Sequence, residues 1–189
     1  FDSTTFEVVP GSDPVRDVSF PDPTAYDVVV PLGSRWSVYD ERLAWVDGEI
    51  ALVREALDAG VGVLGVCFGA QLLAQALGGS VQPATQPEVG WHPVHSDRPA
   101  LVPGGPWFQW HFDRITVPPG AVEIARNASA PQAFVQGRAL GVQFHPELDD
   151  ALLDVWIAED RGGDMEKLDV RAEDLRSDTA ANLDDAARR

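Results

Sequence analysis

Residues 61–79 constrain this chain more than any other stretch. VGVLGV (61–66) is a continuous apolar run of the kind buried on both faces of a sheet. It passes without a linker into Cys67 and then a helical stretch, 70–77, closed by Gly78-Gly79. Gly65 and Gly69 stand two positions either side of Cys67. A strand that turns directly into a helix strains the backbone of its corner residue and leaves room for only small neighbours. The pattern is that of a nucleophile elbow carrying cysteine instead of serine. A thiol at a helix N-terminus meets free N–H groups and the positive end of the dipole, which can lower a cysteine pKa from ~8.5 to roughly 3.5–7.5. A lone cysteine is most often buried and inert. The paired glycines turn the reading toward a nucleophile.

A thiolate that attacks a carbonyl needs an acid–base partner. Of His92, His95, His111 and His145, only His145 directly follows a buried strand (140–144), which Pro146 then ends. Sites in open α/β sheets form beyond the carboxyl ends of strands, and Cys67 and His145 share that edge. Glu147 is placed to accept the second ring N–H of His145 and fix its tautomer. Acyl transfer also requires donors for a developing oxyanion. The turn at Leu32, Gly33 and Ser34 is a source of one, and the N–H of Phe68 of the other.

Around this centre the chain reads as alternating strands and helices. Short apolar strands are expected at 6–9 and at 26–32, the latter buried, with a proline- and aspartate-rich loop at 10–24. An apolar stripe of Leu43, Val46, Ile50, Val53 and Leu57 predicts a helix over 41–59, stopped by Gly60. Residues 80–138, rich in proline and aromatics, are expected to hold short antiparallel strands such as 114–117 and 121–125. Helix dominates from 148, with 151–159 followed by a break at Gly162-Gly163 and two weaker helices. The expected fold is α/β, with a mostly parallel central sheet flanked by helices, a small antiparallel insertion and a helical C-terminal tail. Residues 1–160 form the domain and 161–189 its extension.

Thirty acidic against fourteen basic residues give a formal charge of −16. Such a surface repels phosphate backbones and anionic lipid, so neither nucleic acid nor a membrane is an expected partner. The acidic residues gathered after 147 read as a solvated helical face, with a docking surface for a basic partner as the alternative. One cysteine excludes an intrachain disulfide and suits a reducing, cytoplasmic setting. No phosphate-binding loop, metal-ligand cluster or dinucleotide fingerprint is present, so no cofactor or metal is expected.

Three blocks, GVCFGAQLLAQALGG (65–79), PEVGWHP (87–93) and GVQFHPE (141–147), resemble the signatures of the class I glutamine amidotransferases. The likeness is strongest to free-standing members similar to the amidotransferase domain of GMP synthase, and covers roughly residues 6–160. PLGSRWSVYD (31–40) resembles the family's Gly-Gly-Pro oxyanion loop, and QWHFDRITVPPGA (109–121) its His-Gly-Asp strand region. The resemblance implies a flavodoxin-like fold and hydrolysis of L-glutamine to glutamate and ammonia. Cys67 would form the glutamyl thioester, His145 shuttle the proton and Glu147 orient it. Gln71 would contact substrate, and the backbone at Gly90 and Trp91 would hold its amino-acid end. His111 matches a position near the site but outside the triad, and reads best as a hydrogen-bonded structural histidine. The ammonia would pass to a synthase subunit or a small-molecule acceptor.

Two departures from the family pattern stand out. Gly33, Ser34 and Arg35 replace Gly-Gly-Pro, which sets Arg35 at the pocket rim and makes the oxyanion donor depend on Ser34 needing no positive φ. The family's first strand and helix, which precede the position of Phe6, are absent, and trimming is the expected cause because an unpaired edge would otherwise be exposed. Two further readings stay open: a catalytically silent binding or regulatory homologue, and a cysteine hydrolase of other γ-glutamyl bonds.

Overall fold

The computed structural model describes residues 2–8, 18–160 and 163–189. At its centre β2 (Gly62–Val66) pairs parallel with β1 (Val28–Val29) on one side and with β7 (Ala139–Val142) on the other. Double pairing and two covered faces account for the unbroken apolar sequence of β2. Beyond β7 follow β6 (Pro131–Gln136), β5 (Val122–Arg126), β3 (Ser80–Ser96) and β4 (Gly105–Thr116), each antiparallel to its neighbour. The sheet order is therefore β1-β2-β7-β6-β5-β3-β4. The fold is α/β, an open mixed sheet flanked by helices. Its β5-β6-β7 meander brings the strand before His145 beside the strand before Cys67, although the two lie far apart in sequence.

Helix α1 (Ala44–Asp58) buries Trp45, Val46, Ile50, Val53 and Ala56 and ends at Gly60, whose φ of 79° suits glycine alone. Helix α2 (Phe68–Ala76) starts two residues earlier than its apolar spacing predicts, because Cys67 itself is the whole turn. After His145, α3 (Asp150–Ala158) opens with the Asp149 carboxylate accepting from the Leu152 N–H at 2.7 Å. The extension supplies α4 (Asp164–Lys167) and α5 (Ala172–Ala187). Met165, Leu168, Val170 and Leu175 lie against Trp91, Phe108, Trp110, Phe112 and Trp156. The extension thus covers an aromatic face of β3 and β4 that would otherwise meet water.

Three expectations need correction. Residues 6–8 form no regular strand; Phe6 instead meets Phe20 with ring centroids 5.9 Å apart. Val9 and residues 10–17 of the expected loop lie outside the described residues, as does Gly162 of the expected break. The run at 26–32 yields only the two-residue β1, and Val28, Val30 and Leu32 are 52, 45 and 55% exposed. That strand is the sheet's outer edge with one partner, and Pro31 has no N–H to extend the ladder. Conversely, 80–96 is a single long strand despite Pro83, Pro87 and Pro93, with an irregularity between Pro83 and Glu88.

On α1, the Glu49 side chain is buried with no hydrogen-bond partner among the described residues. Burial pushes its carboxyl from 4.5 up to about 7. A raised carboxyl favours folding while protonated, and that contribution disappears as pH rises from about 4.5 through 7. Glu49→Gln should therefore stabilise the protein by about 2 kcal/mol at pH 8 and change little at pH 4.5. Denaturant melts at the two pH values check this; equal effects at both would place the Glu49 carboxylate in a solvated setting.

Candidate active site

Cys67 sits between β2 and α2 with φ 51° and ψ −108°, one of two non-glycine residues with positive φ among those described. Holding such a residue costs about 1–3 kcal/mol, a strain typical of functional turns. A Cβ on Gly65 would stand 2.5 Å from the Gly69 carbonyl oxygen, and one on Gly69 would stand 2.0 Å from that of Pro31. Both glycines are therefore required by close backbone approach. The Cys67 N–H donates to Val142 O at 2.9 Å and the Gly69 N–H to Leu32 O at 3.1 Å. These bonds tie the elbow to β7 and to the loop after β1.

His145 is buried, its backbone N–H donating to Phe108 O at 2.9 Å. Its Nδ1 lies 2.7 Å from Glu147 Oε1, which leaves Nε2 for the neighbouring Cys67. Burial alone would lower the imidazolium pKa. The charge of a Cys67 thiolate, joined by Glu147, outweighs it and pushes His145 up from 6.5 to about 10. The chain thus brings a thiol, an imidazole and a carboxylate together at one edge of the sheet. Trp156 from α3 packs edge-on against the imidazole at 4.6 Å, excluding water from that side.

The loop after β1 closes the site. A Cβ on Gly33 would lie 3.1 Å from His145 Cε1 and 3.8 Å from Cys67 Cβ, so this glycine lies directly against Cys67 and His145. Ser34 has no positive φ, and its hydroxyl accepts from the Trp36 N–H at 3.4 Å. The turn therefore tolerates serine where the family pattern has glycine. The N–H groups of Gly33, Ser34 and Phe68 have no hydrogen-bond acceptor among the described residues. Arg35 turns away to meet Glu159 at 3.3 Å on the exposed rim.

Behind this loop, the Asp113 carboxylate accepts from Ser37 Oγ at 2.6 Å and Tyr39 OH at 2.5 Å, anchoring it to β4. His111 Nδ1 lies 2.9 Å from Asp113 O, and Nε2 lies 3.1 Å from Gln109 Oε1 and 3.3 Å from Glu88 Oε2. Burial tends to raise the Glu88 carboxyl. Hydrogen bonds from His111 and Asn127 prevail, holding it below the ordinary carboxylate range. His111 thus belongs to a buried polar network beside the site and does not touch the sulfur.

The remaining sequence-derived residues lie one layer further out. Gln71 is buried one turn along α2, with its amide 3.5 Å from Gln143 Oε1. Strand register sets Gly90 opposite Gln109 and Val89 opposite Trp110, whose carbonyl lies 3.8 Å from the Cys67 sulfur. Gly90 has φ 109°, and Leu175 of α5 closes over it. The Trp91 indole N–H points to Thr179 Oγ1 at 2.9 Å, so its side chain serves the extension rather than the sulfur. Sequence reasoning missed Gln143, Asp113, Trp156 and Thr179. For Gln143 a signal existed, since it lies two residues before His145 within the same GVQFHPE block.

The family model for glutamine amidotransferase class-I matches residues 5–160. A GMP synthase (glutamine-hydrolyzing) of Thermomicrobium roseum is 42% identical over 101 residues, 49% of this chain and 19% of the relative. The GMP synthase of Mycobacterium bovis is 35% identical over 152 residues, 75% of this chain and 27% of that protein. The chain therefore spans only about a fifth to a quarter of those relatives. Among solved structures, a glutamine amidotransferase from Thermotoga maritima superposes with TM-score 0.79 at 29% identity, covering 90% of this chain and 76% of that one. Another from Methylobacillus flagellatus gives TM-score 0.70 at 29% identity, covering 78% and 62%. With the family model matching most of its length and the fold shared, this chain belongs to the class I glutamine amidotransferases.

Proposed function

We propose that the chain hydrolyses the side-chain amide of L-glutamine and hands the ammonia to an acceptor. The observation that carries the reading is Cys67 in a strained elbow beside a His145 whose Nδ1 is held by Glu147. The thiolate attacks the amide carbon, and the negative charge on its oxygen falls to the N–H groups of Phe68 and the 33–34 turn. His145 protonates the departing nitrogen as ammonia, leaving a glutamyl thioester on Cys67. His145 then takes a proton from water, whose oxygen attacks the thioester to release glutamate and restore the thiolate. Gln71 and the backbone at Gly90 and Trp91 form the substrate side of the pocket. The acceptor is a synthase subunit or a small molecule, in keeping with the GMP synthases that the chain resembles.

Release of glutamate and ammonia from glutamine, run beside γ-glutamyl dipeptides, tests this reading. Preference for glutamine by an order of magnitude in kcat/KM supports it. Preference for the dipeptides would reassign the same triad to γ-glutamyl hydrolysis, and no turnover of either, with a synthase relative added, would make the chain a silent homologue.

Gly33 supplies a sharper test of the loop. Gly33→Ala places a methyl against His145 Cε1, and displacing the imidazole by even a few tenths of an ångström degrades its alignment with the sulfur. Turnover should fall roughly 10- to 100-fold with little change in thermal stability, because the loop is exposed. Unchanged kcat would mean that the loop moves outward freely and does not set the imidazole.

A further inference from the structure

We propose that Gln143 is a catalytic residue whose carboxamide N–H holds the Cys67 sulfur in its anionic form. The proposal rests on Cys67 being the nucleophile, and assigns to Gln143 a role separate from those of the triad and the oxyanion turn. Gln143 is 0% exposed and follows β7 in the chain. Its backbone N–H donates to Gln132 O at 2.8 Å, which fixes the segment against β6. Its Nε2 stands 3.7 Å from Cys67 Sγ, and its Oε1 accepts from Gln71 Nε2 at 3.5 Å.

A carboxamide has one accepting and one donating end. With the Gln71 amide engaged at Oε1, the Gln143 NH2 has to face the sulfur. A thiolate only accepts hydrogen bonds, so a donor aimed at it favours the anion over the thiol. Cys67 is buried, so water contributes little to solvating its sulfur. Among the described residues Gln143 is the side chain that hydrogen-bonds the sulfur, with the His145 imidazole as its charged neighbour. The imidazole must leave the sulfur to protonate ammonia and later activate water. Gln143 has no proton to give up, so it remains a fixed donor throughout the cycle and disfavours return of that proton to sulfur.

The chain has a single cysteine, so iodoacetamide alkylation reports on Cys67 alone. Rates measured against pH on the full chain should rise through a midpoint that lies about one to two pH units higher in Gln143→Leu than in wild type. Gln143→Glu, nearly the same shape but negatively charged, should move the midpoint further in the same direction. Gln143→Asn, which withdraws the donor by one methylene, should fall between wild type and Gln143→Leu, and serves if the leucine variant fails to fold. Glutamine turnover near neutral pH should fall roughly 10- to 100-fold in the leucine variant. A midpoint unchanged in folded variants would overturn the proposal and leave Gln143 as packing. A shifted midpoint in a protein that never turns over glutamine would sink the glutaminase reading and leave the Gln143 assignment standing.

Discussion

Cys67→Ala should abolish glutamine hydrolysis, lowering turnover by roughly 10^4- to 10^6-fold, the usual cost of removing the nucleophile from a hydrolytic triad. The fold should survive. Alanine keeps the Cβ that already fits the turn at φ 51°, and only one sulfur leaves a site whose neighbours are the Trp110 carbonyl, the Gln143 amide and the His145 imidazole. Circular dichroism and the melting temperature should match wild type closely. Cys67→Gly should be equally inactive yet more stable by about 1 kcal/mol, because glycine occupies positive φ without the strain a side chain suffers there. An active alanine variant would remove Cys67 from the chemistry. A glycine variant less stable than the alanine one would show that the elbow holds no strain, and that its φ follows from packing alone.

That contrast between chemistry and backbone also explains what was readable in the sequence. The elbow was legible because its glycines answer a steric demand two residues either side of Cys67, and the structure shows each Cβ colliding with backbone. His145 and Glu147 were legible although the strand was expected over 140–144 and ends at Val142, before Pro146 can stop it; the segment that follows still leaves both residues beyond the sheet's carboxyl edge. The pairing of β2 with β7 was not, since residues 62–66 and 139–142 meet only after a hairpin and a meander that periodicity cannot order. The β3 strand was hidden by Pro83, Pro87 and Pro93, which read as punctuation although the irregularity between Pro83 and Glu88 absorbs part of that disruption. The 26–32 run misled in the opposite direction, because apolar content alone does not distinguish an interior strand from an edge one. Asp113 and Thr179 were invisible because their meaning lies in long-range partners, Ser37 and Tyr39 in one case and Trp91 in the other.

His145→Ala should be as damaging as Cys67→Ala, and the double variant scarcely worse than either. Nucleophile and base act as one unit, so removing the second member after the first costs almost nothing. In the proposed cycle the imidazole performs both transfers, to ammonia and from water, and the other buried histidine of the region, His111, is held by Glu88, Gln109 and Asp113 and cannot substitute. Glu147→Gln should be milder, roughly 10- to 1000-fold, because an amide oxygen still accepts from Nδ1 but no longer balances an imidazolium. The two variants should also differ in their pH dependence. Wild-type His145, raised to about 10 by the thiolate and Glu147, keeps its proton for the leaving ammonia through neutral pH and gives it up as pH passes 10. Removing the Glu147 charge withdraws part of that support, so the alkaline fall in turnover should begin at lower pH in Glu147→Gln. An alkaline limb identical to wild type would mean that the thiolate alone sets the imidazolium. Additive losses in the Cys67–His145 double variant would mean that the two side chains act in separate steps.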